Sequence, residues 1–159
     1  YILTKMTDEG LSYDDVLKDA QAKGFAEADP TADVEGIDAA NKLSILIALA
    51  FGTHIPPGSI PTEGITRVSP EDIKTASASG KKIKLIGKAR MDGGKLEYSV
   101  SPVLLDKSHP LAGVSNEFNA VYVTGDMVGE LMFYGRGAGP LPTGSAVCGD
   151  ILSIMKRKF

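Results

Sequence analysis

The chain has 159 residues, 43% apolar and 23% charged, the proportions of one globular domain large enough for a real core. A net charge of −3, few aromatics and no Trp argue against a broad nucleic-acid or anionic-membrane surface. The single Cys148 excludes an internal disulfide, offers no zinc-ligand spacing and fits a reducing compartment, and the longest apolar run, Leu43 to Phe51 interrupted by Ser44, falls far short of the ~20 residues that span a bilayer.

Residues 1–8 read as the tail of a helix ended by Gly10. Ser12 with Asp15 three residues on resembles a capping box, and Val16, Leu17 and Ala20 supply an apolar stripe as far as Gly24. An acidic loop follows over 27–33. Asp33 is the expected N-cap of a helix from Val34 to about Ala50, apolar on nearly all sides in its second half and therefore expected to be buried. Gly52 ends it. The proline-rich stretch that follows is a loop with room for one short strand, and Ser69-Pro70-Glu71-Asp72 combines an N-cap, a first-turn proline and acids for a helix to about Ala78.

The periodicity then changes. Ile83 and Leu85 alternate with lysines, Asp92-Gly93-Gly94 is a turn, and Leu96, Tyr98 and Val100 alternate with polar residues, which predicts a hairpin with one buried face. The stretch "NAVYVTGDMVGELMFYG" repeats the pattern around Gly125-Asp126, and a helix is expected from about Thr143 to Lys156. Helices, then antiparallel strands, then a helix predict an α+β fold. The expected form is a two-layer sandwich, with helices on one face of a mostly antiparallel, mixed sheet.

Two segments can carry chemistry. Residues 27–42 hold five carboxylates and one lysine just where an apolar helix opens. Asp38 and Lys42 lie one turn apart on one face, and Glu27, Asp29 and Asp33 precede them. Capping, dipole compensation and one surface ion pair would account for part of this, but the acids exceed what capping requires. Negative neighbours favour the cationic form of a lysine, which can then give a proton to an oxygen gaining charge. Carboxylates with spare lone pairs can hold a substrate ammonium, so the group suits a small zwitterionic or amino-alcohol substrate. In "YGRGAGPLPTGSAV", 134–147, glycines follow a strand and precede a helix start. They allow close backbone approach to a ligand, or simply a tight connection, and are not the dinucleotide fingerprint. His54 and His109 read as structural, Cys148 as a small core residue of the last helix, and Glu63 in "IPTEGI" as a turn acid.

"GFAEADPTADVEGIDAANKL" (24–43) with "GRGAGPLPTGSAV" (135–147) closely resembles the homoserine dehydrogenase family, and "IPTEGI" and "SHPLAGV" match it in order and spacing. The opening "YILTKMTDEGLSYDDVLKDAQAKG" looks like the stretch after that family's substrate-binding turn, so the resemblance covers essentially the whole chain. It implies reversible oxidoreduction between L-homoserine and L-aspartate 4-semialdehyde with NAD or NADP, on the cytoplasmic route to threonine and methionine. It further implies that Lys42 is the catalytic lysine, that Asp38 orients it and the substrate, and that Glu27 binds the substrate amino group. Asp33 would be a further substrate-binding acid and Gly139 a backbone contact to the cofactor. The resemblance leads us to expect that residues 1–159 are the substrate-binding and dimerisation domain of a longer chain. The nucleotide-binding domain and its second functional lysine would then lie outside it, as would any regulatory domain after Phe159. A homodimer through the sheet is expected, with neither nucleic acid nor membrane as partner. The alternative is a non-catalytic dimerisation or amino-acid-binding module whose acids are structural.

Overall fold

The computed structural model describes residues 1–137 and 139–156. In chain order it contains α1 (Ile2–Glu9), α2 (Tyr13–Ala22), α3 (Thr31–Val34), α4 (Ile37–Phe51), α5 (Pro70–Ala78), β1 (Lys81–Asp92), β2 (Lys95–Asp106), β3 (Phe118–Gly125), β4 (Gly129–Arg136) and α6 (Pro140–Lys156), with single 3-10 turns at Pro57–Ser59 and Pro110–Gly113. This is the expected α+β class. The strands form two separate antiparallel hairpins, β1–β2 and β3–β4, rather than one continuous sheet, and the parallel element reduces to one bridge between Thr62 and Val100. Among the described residues no helix is long and apolar enough to cross a membrane.

The local rules explain most boundaries. Gly10 and Gly52 close α1 and α4 in the left-handed conformation, and the Ser12 side chain accepts from the Asp15 N–H at the start of α2. At α5 the capping box is complete: the Ser69 hydroxyl accepts from the Asp72 N–H, and the Asp72 carboxylate accepts from the Ser69 N–H at 2.9 Å. The β1–β2 turn places Gly93 and Gly94 both at positive φ, the requirement of a primed two-residue hairpin turn.

Several expectations change. The helix that was to run from Val34 is two helices. Gly36, at φ 80°, breaks the chain direction after α3, so α4 begins at Ile37 and Asp33 lies within α3 instead of capping α4. The second half of α4 is buried on one side only: Leu43, Ser44 and Ile47 face the core, whereas Ile45 and Leu49 are 62% and 79% exposed. Finally, α6 begins at Pro140 rather than Thr143, because prolines fit a first turn whose N–H groups have no helical partner. It has no buried residue, so Cys148 is exposed and not the core residue expected.

The core has two parts. Ile2, Leu3 and Met6 of α1 meet Val16 and Ala20 of α2, Ile73 and Ala76 of α5 and Ile83 of β1. Ala40, Leu43 and Ile47 of α4 pack on Ile60 and on Val100 of β2. Leu85 touches both clusters, and Leu43 lies over Gly87 of β1, so α4 is seated directly on the first hairpin. On the other parity of β1, Lys82 pairs with Asp8 at 3.1 Å, and the Lys84 ammonium donates to the Val114 carbonyl at 2.5 Å. Burial, and then neighbouring Lys82, holds the Lys84 amine below the usual lysine range.

Ser69→Ala should cost about 1 kcal/mol, read as a lower urea midpoint at constant slope. The Ser69 hydroxyl and then its N–H hold the Asp72 carboxyl below its ordinary value of 3.8. Such a contribution is present above the unfolded-state value and lost as pH falls through the lower folded-state value. The difference between Ser69→Ala and the parent should therefore shrink below that pH, and a gap that stays constant through acidification would contradict the assignment.

Candidate active site

The acidic segment is built in two halves that meet at Gly36. In the first half, the Asp29 carboxylate accepts from the Thr31 hydroxyl at 2.6 Å and from the Thr31 N–H at 3.1 Å, bonds that hold it below the usual carboxylate range. Asp29 thus closes an Asx turn over Pro30, the N-cap of α3. Asp33, half-buried in α3, accepts from the Glu27 backbone N–H at 3.1 Å, and the Gln21 amide donates to the Glu27 and Ala28 carbonyls. The backbone at Glu27 is pinned from both sides. Among the described residues its carboxylate has no hydrogen-bond partner and lies exposed.

In the second half, the α4 spacing does what four-residue spacing does. Lys42 Nζ donates to Asp38 Oδ2 at 2.6 Å, with the two side chains 58% and 48% exposed. Asp38 sits in the first turn of α4, where a carboxylate complements the helix dipole. One Asp38 oxygen is engaged by the ammonium, and among the described residues the ammonium has no second hydrogen-bond partner. The structure therefore brings Asp38 and Lys42 together, and Glu27 and Asp33 together. Its hydrogen bonds do not join the two pairs directly.

Two cavities flank the junction. One, of about 190 Å³, is lined by Ile37, Ala40 and Asn41 on α4 and by Pro57, Gly58 and Ile60 opposite. The other, of about 280 Å³, is lined by Glu35, Glu63, Thr66 and Arg67, and Thr62 borders both. Sequence reasoning did not single out Asn41, Glu35 or Arg67. The position of Asn41 beside Lys42 was an available signal, whereas nothing in the local pattern marks Arg67. Glu63, read as a turn acid, is a cavity wall.

Gly139 stands before α6 at φ 108°, its carbonyl accepting from the Thr143 hydroxyl at 3.0 Å, and the space a side chain would occupy is open except for Pro142 at 3.8 Å. Ala138 lies outside the described residues. His109 Nδ1 accepts from the Leu111 N–H and its ring lies 5.3 Å from Tyr122, a structural role, and His54 lies exposed in a loop. Among the described residues there is no cluster of ligands for a metal ion and no βαβ unit to cradle a pyrophosphate.

The sequence model of the family described as "Homoserine dehydrogenase" matches residues 1–152. The homoserine dehydrogenase of Bacillus subtilis (strain 168) is 52% identical over 157 residues, covering 99% of this chain and 36% of its own length. That of Synechocystis is 49% identical over 159 residues, covering 98% and 37%. The crystal structure of Staphylococcus aureus homoserine dehydrogenase at pH 6.0 superposes with a TM-score of 0.89 at 50% identity, over 98% of this chain and 39% of that one. A hyperthermophilic archaeal homoserine dehydrogenase mutant in complex with NADPH gives 0.74 at 33% identity, over 99% and 44%. The chain thus spans 36–37% of the length of these two sequence relatives. With the family match running from residue 1 to 152 and half of the residues shared with its relatives, this chain belongs to the homoserine dehydrogenase family.

Proposed function

We propose that residues 1–159 form the substrate-binding and dimerisation domain of an NAD(P)-dependent homoserine dehydrogenase, which interconverts L-homoserine and L-aspartate 4-semialdehyde on the cytoplasmic route to threonine and methionine. The observation that carries the proposal is the Lys42–Asp38 pair at 2.6 Å, projecting from a helix seated on the first hairpin, within the segment that bears the family likeness.

Each side chain has a task that its position permits. The Lys42 ammonium gives a proton to the substrate oxygen as the aldehyde is reduced, and in the reverse direction its neutral amine takes the proton from the hydroxyl. Asp38 holds that nitrogen through one hydrogen bond, which leaves its other N–H bonds for the substrate. The Glu27 carboxylate takes the substrate ammonium, and Asp33 fixes the Glu27 backbone while lending negative charge to the same region. Gly139 offers an unobstructed backbone to the nicotinamide cofactor. The cofactor supplies the hydride, and the residues here supply position and proton control. Most cofactor contacts fall to a nucleotide-binding domain outside this chain, in keeping with the lack of a βαβ unit among the described residues. The choice between NAD and NADP lies there too.

The exposure of Lys42 favours one competing reading, in which Lys42–Asp38 is an ordinary surface pair of a non-catalytic module. An exposed i,i+4 pair of that kind contributes only about 0.3–0.5 kcal/mol. The two readings therefore diverge in kinetics and not in stability.

The exposed apolar surface supports a homodimer. Every residue of β4 is exposed, including Leu131, Met132, Phe133 and Tyr134. Two-stranded hairpins with uncovered edges are unstable alone and pair readily with a copy.

In the full-length enzyme, Lys42→Ala should lower kcat for homoserine oxidation by about 10²–10⁴-fold with an unchanged circular-dichroism spectrum and melting temperature. A rate equal to that of the parent would leave the surface-pair reading standing. Glu27→Gln should raise KM for homoserine with little effect on KM for the nicotinamide cofactor, and equal effects on both would remove Glu27 from the ammonium site. Phe133→Glu should move the sedimentation profile from dimer to monomer, whereas a dimer that persists would place the interface elsewhere.

A further inference from the structure

The two halves of the acidic segment are held by a third segment of chain, residues 61–65, which lies between β2 and the α3–α4 junction. On one side the Glu63 N–H donates to the Val100 carbonyl at 2.8 Å, and the Val100 N–H donates to the Pro61 carbonyl at 2.9 Å, making a short parallel bridge to β2. On the other side the Ile65 N–H donates to the Val34 carbonyl, the last residue of α3, at 2.7 Å. Between these bonds sits Gly64, which is buried. A Cβ there would lie 2.2 Å from the Val34 carbonyl oxygen and 2.4 Å from Glu35 Cα, both backbone atoms, so main chain would have to move. Gly36 faces the same strap from the junction: a Cβ on it would meet Thr62 Cγ2 at 3.1 Å and Val100 Cγ1 at 3.3 Å, and its φ of 80° already sets the turn between α3 and α4.

We infer that Gly64 is a positioning residue for the acid–lysine site. Its missing side chain lets the 61–65 strap press on the backbone at Val34–Glu35, and this contact fixes the offset between α3, which carries Asp33, and α4, which carries Asp38 and Lys42. The inference rests on the reading of Lys42 and Glu27 given under Proposed function. The hydrogen bonds within each half fix Glu27 to Asp33 and Asp38 to Lys42, but nothing within either half sets one against the other. A substrate gripped at its ammonium by the first half and at its oxygen by the second is sensitive to that offset. A displacement of about 1 Å in such a geometry can lower the rate ~10²-fold.

The test uses the full-length enzyme in two arms. In the first, amide hydrogen exchange is followed over residues 34–38. Gly64→Ala should accelerate it by about tenfold or more. Gly113→Ala, placed where a Cβ meets nothing within 4 Å, should leave it unchanged. In the second, Gly64→Ala should lower kcat/KM for homoserine by about 10–100-fold, with KM for the nicotinamide cofactor within about twofold of the parent. A folded Gly64→Ala protein with parental exchange, or with parental kcat and KM for homoserine, overturns the inference. If Gly64→Ala does not fold, Gly36→Ala loads the strap from the junction side, against Thr62 Cγ2 at 3.1 Å, with an added backbone strain at φ 80° that is common to the single and double variants. It should show the same kinetic loss, and adding Thr62→Ser, which deletes the methyl the new Cβ would meet, should recover part of it. No recovery in the double variant counts against the strap. If the parent enzyme does not oxidise homoserine, the proposed function fails, and the exchange arm still decides whether Gly64 governs the junction.

Discussion

The constraint on which the placement of α3 against α4 depends is the backbone contact at their junction. Val34, Glu35 and Gly36 are pressed against residues 61–65, and those residues are bonded in turn to Val100 in the middle of β2. The α3 and α4 helices are thereby both tied to the first hairpin. Hydrophobic burial reinforces the arrangement. Ile47 is completely buried and Leu43 lies over Gly87, so α4 is fixed along its length as well as at its start. Lys42 stands on the exposed side of a helix whose opposite side is part of the core, which is how a mobile, charged side chain can have a well-defined origin.

Much of this was legible because it depends on local chemistry. Ser69 and Asp72 form a capping box from residue types and spacing alone, and the Gly93-Gly94 pair specifies its turn by requiring positive φ twice. Lys42 and Asp38 meet because helical geometry places four-residue neighbours on one face. What was not legible is tertiary. Asp33 has the composition of an N-cap, and only the approach of Gly64 and the turn at Gly36 show that the helix begins later. The apolar richness of α4 and α6 was legible, but not which side would be covered. Burial is a property of neighbours, so hydropathy alone overstated it at Ile45, Leu49 and Cys148. The cavity wall at Glu35 and Arg67 was not legible either, because it is formed across sequence-distant segments.

The distribution of exposed apolar residues divides the molecule. Both buried clusters lie in the first hairpin and the segments around it, joined at Leu85, although Ile45, Leu49, Met91 and Leu104 of the same elements stay exposed. The second hairpin and α6 leave their large side chains open, apart from local pairs such as the stacked rings of Phe118 and Tyr134 at 4.8 Å. The division follows the proposed division of labour: the well-packed half carries the proton-handling residues and needs precision, and the open half is where other surfaces would be received.

The helix α6 illustrates what that openness means energetically. Its seventeen residues include Pro140, Pro142, Gly144 and Gly149, and no side chain along it is buried. A helix of that composition, held by its own hydrogen bonds alone, is marginal in water. Its winding and the covering of its apolar stripe at Val147, Ile151 and Ile154 are therefore a single equilibrium. Whatever occupies that stripe acts on the chain as a folding ligand, adding RT ln(1 + [L]/Kd) to the stability of the segment that begins at Gly139.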